Sequence, residues 1–434
     1  MSMVAPVQGT GVGGGADTRA TAYGWVVFAL AFGLLISDYM ARQVLNAVFP
    51  LLKAQWALSD AQLGWLSGVV ALMVGLLTFP LSLLADRWGR VKSLTLMAVL
   101  WSAATLLCAA AANYQQMLIG RMLVGVGEAA YGSVGIALVI SVFPSRMRAT
   151  LSAAFMAGGL FGQVLGVAVG GEIAGTYGWR AAFTAIGLAG LVLAILFPII
   201  VRESKVAGAS KVSGGSGEAV ARPSLKSLFA SRSVKLAYLG SGLQLFSAAA
   251  LPAWLPTFLG RYHAMSVAEA GRMSALLFLA CGAGMILCGM AGDRVARTRP
   301  DRKILLAIGY CIGASLALSA AMLCAPGPAQ LALLAVAMFL VAGTTGPAGA
   351  MVANLTPVAI HGTAFATLTL ANNLIGLAPG PIITGWMADK ASLHSAFQML
   401  PVVGLLAAGV FALARQSYLA DLARISESTG AATQ

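Results

Sequence analysis

The chain has 434 residues, of which 59% are hydrophobic and 9% charged, with a mean hydropathy of +0.86. A soluble domain carries about 25% charged residues, so this chain cannot cover itself with polar surface and a soluble globule is excluded. The formal net charge of +13 does not mark a nucleic-acid binder, because the bases sit in short polar gaps between apolar runs, where they carry topology information.

Residues 1–23 form a Gly-, Thr- and Ala-rich N-terminal tail. Its stretch Gly9 to Gly14 spells G-x-G-x-x-G, but no strand precedes it and no βαβ unit contains it, so no dinucleotide cofactor is expected. The first apolar run, 24–51, contains Asp38 and Arg42 and therefore reads as a retained span rather than a cleaved signal. Eleven more runs follow, near 60–86, 91–112, 115–143, 148–175, 179–202, 233–260, 267–291, 302–325, 328–356, 362–388 and 392–415. Each reaches the roughly 20 residues that a membrane-spanning helix needs. The expected fold is an all-α membrane protein of twelve transmembrane helices. Five cysteines (Cys108, Cys281, Cys288, Cys311 and Cys324) lie inside the runs without metal-ligand spacing, which excludes a disulfide scaffold and marks no metal site. There is also no P-loop.

Between the sixth and seventh runs lies a polar, Gly/Ser-rich, basic segment that reads as a flexible linker. The expected organisation is thus a tail (1–23), a six-helix half (24–202), a cytoplasmic linker (203–231), a second six-helix half (232–416) and a cytoplasmic C-terminal tail (417–434). The halves repeat. Ser59 with Gln62 opens the second run and Ser266 with Glu269 opens the eighth, 207 residues later, each with capping-box spacing. At the far ends of the same runs, Asp86-Arg87-Trp88-Gly89-Arg90 is answered by Asp293-Arg294-Val295-Ala296-Arg297 at the same offset. An even number of spans per repeat makes the two copies parallel. With the N-terminus inside, twenty bases fall on the cytoplasmic side and five outside, which places both termini in the cytoplasm.

The segment Ser82 to Lys92 resembles the loop 2–3 signature of the major facilitator superfamily, and Gly289 to Arg297 is its repeat. Arg121 with Gly125 and Gly127 is similar to that superfamily's second signature, and the glycines from Gly158 to Gly171 to its third. Arg121 to Tyr131, Gly178-Trp179-Arg180 and Trp254-Leu255-Pro256 look most like Spinster-type lipid transporters, with the anion:cation symporters close. The resemblance implies a secondary transporter working by alternating access, with the first and fourth helices on a central cavity. It also implies a conformational latch of Asp86, Arg87, Gly89 and Arg90, with Asp293, Arg294 and Arg297 as the second copy, in which Asp86 meets a helix N-terminus near His361 and Thr363. Both families usually carry Asp directly before the arginine of the first span; here that position is Ala41, and the carboxylate is Asp38, one turn earlier.

Ionisable groups at membrane depth are costly and mark function by default. Asp38 and Arg42 are four residues apart, and Arg121 and Glu128 seven, so each pair shares a helix face. On the functional reading Asp38 and Glu128 carry the coupling proton, while Arg42 and Arg121 bind an anionic group. On the structural reading the four are an ion-pair staple between helices. Tyr39 and Tyr131 neighbour these faces, as ligand contacts or as packing with a satisfied hydroxyl. The second half offers no charge at comparable depth, and its candidates are Gln244, Trp254, Asn372 and Asn373. A wall of charge opposite an apolar wall suits a small organic or amphipathic anion. The expected protein is therefore a proton-coupled carrier of such an anion, without cofactor or enzymatic activity. It is expected to be a monomer in the bilayer of a bacterial inner membrane. An exporter of lysolipids or hydrophobic drugs is the alternative within transport, and a non-transporting receptor or sensor the alternative outside it.

Overall fold

The structure is a computed structural model that describes residues 22–203, 229, 231–296, 301–356 and 360–431. Most of the expected tail 1–23 and linker 203–231 lies outside the described residues. Among the described residues there is no strand, and twelve helical segments are long and apolar enough to cross a membrane. The first half comprises α1 (Ala22–Trp56), α2 (Asp60–Trp88), α3 (Arg90–Ala110), α4 (Tyr114–Glu128), α5 (Tyr131–Ser141), α6 (Arg148–Tyr177) and α7 (Trp179–Ile200). The second comprises α8 (Arg232–Tyr262), α9 (Val267–Ala296), α10 (Arg302–Leu323), α11 (Pro328–Val341), α12 (Thr345–Asn354), α13 (His361–Ala371), α14 (Pro379–Lys390) and α15 (Leu393–Ala431).

Three of the twelve spans are interrupted, so fifteen helices arise from them. The fourth breaks between α4 and α5, and the tenth passes through a 3₁₀ turn, Ala342–Thr344. The eleventh passes through a π-helical segment, Asn372–Leu377, that ends just before Pro379. Proline there lacks the N–H a regular helix needs and crowds the preceding turn, which explains the wider winding.

The repeated start signals form as the spacing predicts. The Gln62 N–H donates to Ser59 Oγ while Ser59 N–H donates to Gln62 Oε1 at 2.9 Å; Glu269 and Ser266 make the same exchange at the head of α9. Helix α6 lies against α1 through its glycines. A Cβ at Gly162 would strike the Ile36 carbonyl and Tyr39, and one at Gly166 would strike Met40, so only glycine permits this approach. Outward faces carry exposed side chains such as Leu107, Ile119, Ile199 and Leu316, as a lipid-facing surface requires.

One boundary differs from expectation. Helix α15 continues past residue 416 to Ala431, and Tyr418 and Asp421 are buried. Asp421 Oδ2 accepts from Ser231 Oγ at 2.7 Å and from Ser233 N at 3.1 Å, so its carboxylate sits at the N-terminus of α8, where the helix dipole favours a negative charge. That interaction holds the last helix in register beyond the membrane run.

Candidate functional site

Helix α1 presents a polar stripe at four-residue steps: Asp38, Arg42 and Asn46, with Tyr39 and Gln43 beside it. Facing it, α4 ends at Glu128, where the fourth span breaks. The break frees the Ala129 carbonyl, which accepts a hydrogen bond from Thr78 Oγ1 of α2 at 2.7 Å. Tyr131, at the start of α5, donates to the Ala31 carbonyl at 2.8 Å and packs edge-on against Trp101, with ring centroids 4.9 Å apart. The interrupted span is therefore anchored to both α1 and α2 on either side of Glu128.

Across this junction Arg42 Nε lies 2.5 Å from Glu128 Oε2 and 3.9 Å from Asp38 Oδ1. The Glu128 side chain is fully buried, Asp38 is 4% exposed and Arg42 23%. The arginine is thus the accessible member of the triad. The Arg42–Glu128 contact is a close ion pair made inside the protein. Two carboxylates around one guanidinium in a low-dielectric setting depend on that cation, and whichever loses it bears a desolvation cost.

Arg42 lines a cavity of about 300 Å³ that both halves enclose. The first half contributes Tyr39, Gln43, Asn46, Ser67, Arg121 and Gln163; the second contributes Leu245, Ala248, Ala249, Pro252, Cys281 and Met285. The Arg42 guanidinium stands 5.3 Å from the centroid of the Tyr39 ring. Asn46 Nδ2 donates to Gln43 Oε1 at 2.7 Å, and Gln43 Nε2 to Gln163 Oε1 at 3.5 Å.

The remaining candidates are distributed unevenly. Arg121 borders the cavity, but it donates to backbone carbonyls, to Ala41 at 2.8 Å, Leu66 at 3.3 Å and Arg42 at 3.5 Å, tying α4 to α1 and α2. Tyr131 is fully buried, away from the cavity lining. Gln244 is buried, donating to the Val341 carbonyl at the interruption of the tenth span and accepting from Cys311 Sγ. Trp254 is enclosed between Phe49, at 5.1 Å, and the Pro381 carbonyl, which accepts from its Nε1 at 3.0 Å. Asn373 donates to Thr369 within its own span, and neither it nor Asn372 lines the cavity. Of the ten expected coupling and binding residues, the cavity brings together Tyr39, Arg42 and Arg121, with Asp38 and Glu128 directly behind Arg42.

At the loop signatures, the side chain of Asp86 and all of Arg297 lie outside the described residues. Gly89 adopts φ +99°, a conformation that suits glycine, and lets α3 start immediately after α2. Arg90 donates to the Ala137 carbonyl at 3.2 Å, Arg87 and Arg294 are exposed, and Asp293 pairs with Lys303 at 2.8 Å. The carboxylate at the head of α3 is Glu203, which accepts from Arg90 N at 2.9 Å and Val91 N at 2.8 Å. Glu203 was assigned to the linker on sequence, since nothing local distinguishes it.

The halves are cross-linked at the opposite end. Asp60, heading α2, receives both terminal nitrogens of Arg261 from α8 at 2.6 Å and Lys53 Nζ at 2.5 Å. Asp389, near the end of α14, accepts from the backbone of Asp60 at 2.7 Å and Ala61 at 2.8 Å, capping α2 from across the interface. At the Arg90 end, by contrast, a cavity of about 520 Å³ separates α2 and α5 from α13, lined by Thr78, Ser82, Arg90, Ser133, Thr363 and Thr369.

A broken-helix bundle of two parallel six-span halves around a central cavity defines a multi-pass membrane transport protein. The family model of the Major Facilitator Superfamily matches residues 30–375 and 237–428, and the chain belongs to that superfamily. It is similar to the probable L-galactonate transporter of Escherichia coli (strain K12), 26% identical over 414 residues that cover 91% of this chain and 90% of the relative. It is also similar to the gallate transporter of Pseudomonas putida, 26% identical over 319 residues, 67% of this chain and 70% of the relative. Among solved structures, a bacterial homologue of the human lysosomal transporter Spinster, inward-facing and unoccupied, superposes with a TM-score of 0.80 at 21% identity, covering 93% of this chain and 99% of that one.

Proposed function

We propose that the protein is a proton-coupled secondary transporter of small organic anions that works by alternating access across a bacterial inner membrane, as a monomer with both termini in the cytoplasm. The observation that carries this reading is Arg42, poised at the wall of the central cavity between two buried carboxylates. An ionised Glu128 holds the guanidinium and competes with an incoming carboxylate. Protonation of Glu128 removes the competitor, so anion and proton load together. Arg42 then offers its planar fork to the substrate. Asp38 keeps a partial counter-charge at hand one turn away. The names of the galactonate and gallate transporters support a carboxylate-bearing cargo.

In this scheme the Lys53, Asp60, Arg261 and Asp389 network closes the outer end while the larger cavity opens to the cytoplasm. Opening outward requires that network to separate. The reading is tested by imposing a pH gradient on proteoliposomes and following an organic carboxylate together with internal pH. Accumulation with co-movement of protons is expected; carboxylate flux indifferent to the gradient would overturn the coupling, and no flux of any carboxylate would overturn the cargo class.

A further inference from the structure

Beside the central cavity lies a smaller one of about 190 Å³, between α1 and α6 on one side and α8, α9 and α11 on the other. The two share Tyr39, Gln163, Pro252, Cys281 and Met285, so they form one space with a side chamber. The chamber's own walls are Met156, Leu160, Phe278 and Met338, with Gly159 and Gly282 as the backbone gaps between them. Its polar side chains are Tyr39 and Gln163, both at the boundary with the central cavity, apart from the Cys281 thiol. The Tyr39 ring is the shared wall, with the Arg42 guanidinium 5.3 Å from its centroid. A cation thus stands at the mouth of an apolar, methionine-rich chamber.

Size and chemistry together select an occupant. An apolar cavity of about 150 Å³ accommodates benzene, so this chamber suits one six-membered ring with small substituents. Thioether sulfurs make favourable contacts with aromatic rings. A polyhydroxylated chain would bring several hydroxyls against Met156, Phe278 and Met338, which offer no donor and at best a weak sulfur acceptor, and each hydroxyl left poorly paired weakens binding.

Resting on the organic-anion reading above, we propose that the chamber is the subsite for the ring of an aromatic monocarboxylate whose carboxylate is held at Arg42. The chain thereby selects ring acids over open-chain sugar acids. Counterflow of radiolabelled benzoate into proteoliposomes containing the full chain, with unlabelled benzoate, galactonate or lysophosphatidylcholine inside, tests this without assuming a direction of transport. Benzoate should exchange and galactonate should exchange far less. Met156→Trp, which fills the chamber, should cut benzoate exchange roughly tenfold or more. Leu160→Ala, which enlarges it, should raise exchange of a naphthalene carboxylate relative to benzoate, a gain that a folding defect cannot imitate. Galactonate exchanging better than benzoate, or benzoate exchange untouched by both substitutions, would overturn the ring subsite while leaving the anion reading in place. Exchange of lysophosphatidylcholine alone, or of no organic acid, would overturn both.

Discussion

In the first half α1 presents Arg42 to the cavity with Asp38 one turn behind it; 207 residues on, α8 presents Ala249 and Leu245 to the same cavity. The offset is the one that relates the Ser59 and Ser266 caps, so equivalent turns of one repeated plan carry opposite chemistry. What repeats is what folds: the caps that start α2 and α9. What does not repeat is the buried charge. Concentrating a guanidinium and two carboxylates on one wall confines their desolvation cost to a single cluster. The other wall is left to be shaped by small and apolar side chains. On the proposed reading the first half reads the anionic head and couples the proton, while the second half contributes to the fit of the body.

The largest expected effect comes from removing the acid that exists on one wall alone. Glu128→Gln mimics the protonated state permanently and should abolish gradient-driven accumulation while preserving exchange, measured in the same vesicles. Accumulation at the wild-type level would assign coupling elsewhere and dissolve the asymmetry. Next is Arg42→Ala, which deletes a charge-assisted contact generally worth about 1.5–3 kcal/mol, or roughly ten- to a hundredfold in affinity. Arg42→Lys keeps the charge without the fork and should fall between wild type and alanine by titration calorimetry. Equal affinity in all three would make Arg42 a structural partner of Glu128 and nothing more.

Much of this was legible in the sequence, for identifiable reasons. Spans follow from runs of apolar residues, the repeat from caps at a fixed offset, and the candidates Asp38, Arg42 and Glu128 from charge where charge is costly. Extending the same four-residue step by one turn reaches Asn46, a signal that sequence reasoning did not use. The interruption at Ala129 and Ala130 could not be read locally, because no proline marks it and its stability depends on Thr78, 51 residues away. Trp254 is a candidate as part of an apolar wall and Tyr131 as a neighbour of the charged face, with packing and a satisfied hydroxyl as its other reading; the Pro381 and Ala31 carbonyls take their polar tips. The Asp60 cluster is not legible for the same reason: its partners in the second half, Arg261 and Asp389, lie 201 and 329 residues away, and in sequence Asp60 is only a helix-start residue.

That cluster gives the smallest expected effect and tests how the two halves are joined rather than how they differ. Lys53 and Arg261 are partly exposed although Asp60 is buried, so solvent screens these ion pairs in part. Asp60→Asn should therefore shift, without inverting, the balance between closed and open states of that end. Spin-label distances across α2 and α14 should gain a longer component; an unchanged distribution would remove the cluster from the gate.

The central claim, that a proton on Glu128 releases Arg42 to the substrate, is tested most directly by binding affinity against pH. The titration is done by calorimetry with a carboxylate that stays ionised throughout the range. Because ionised Glu128 competes with the anion for Arg42, affinity should rise as pH falls, with one proton taken up per anion bound, and Glu128→Gln should bind with an affinity that no longer varies with pH. Wild-type affinity that is independent of pH, or a Glu128→Gln protein that keeps the full pH dependence, would contradict the account.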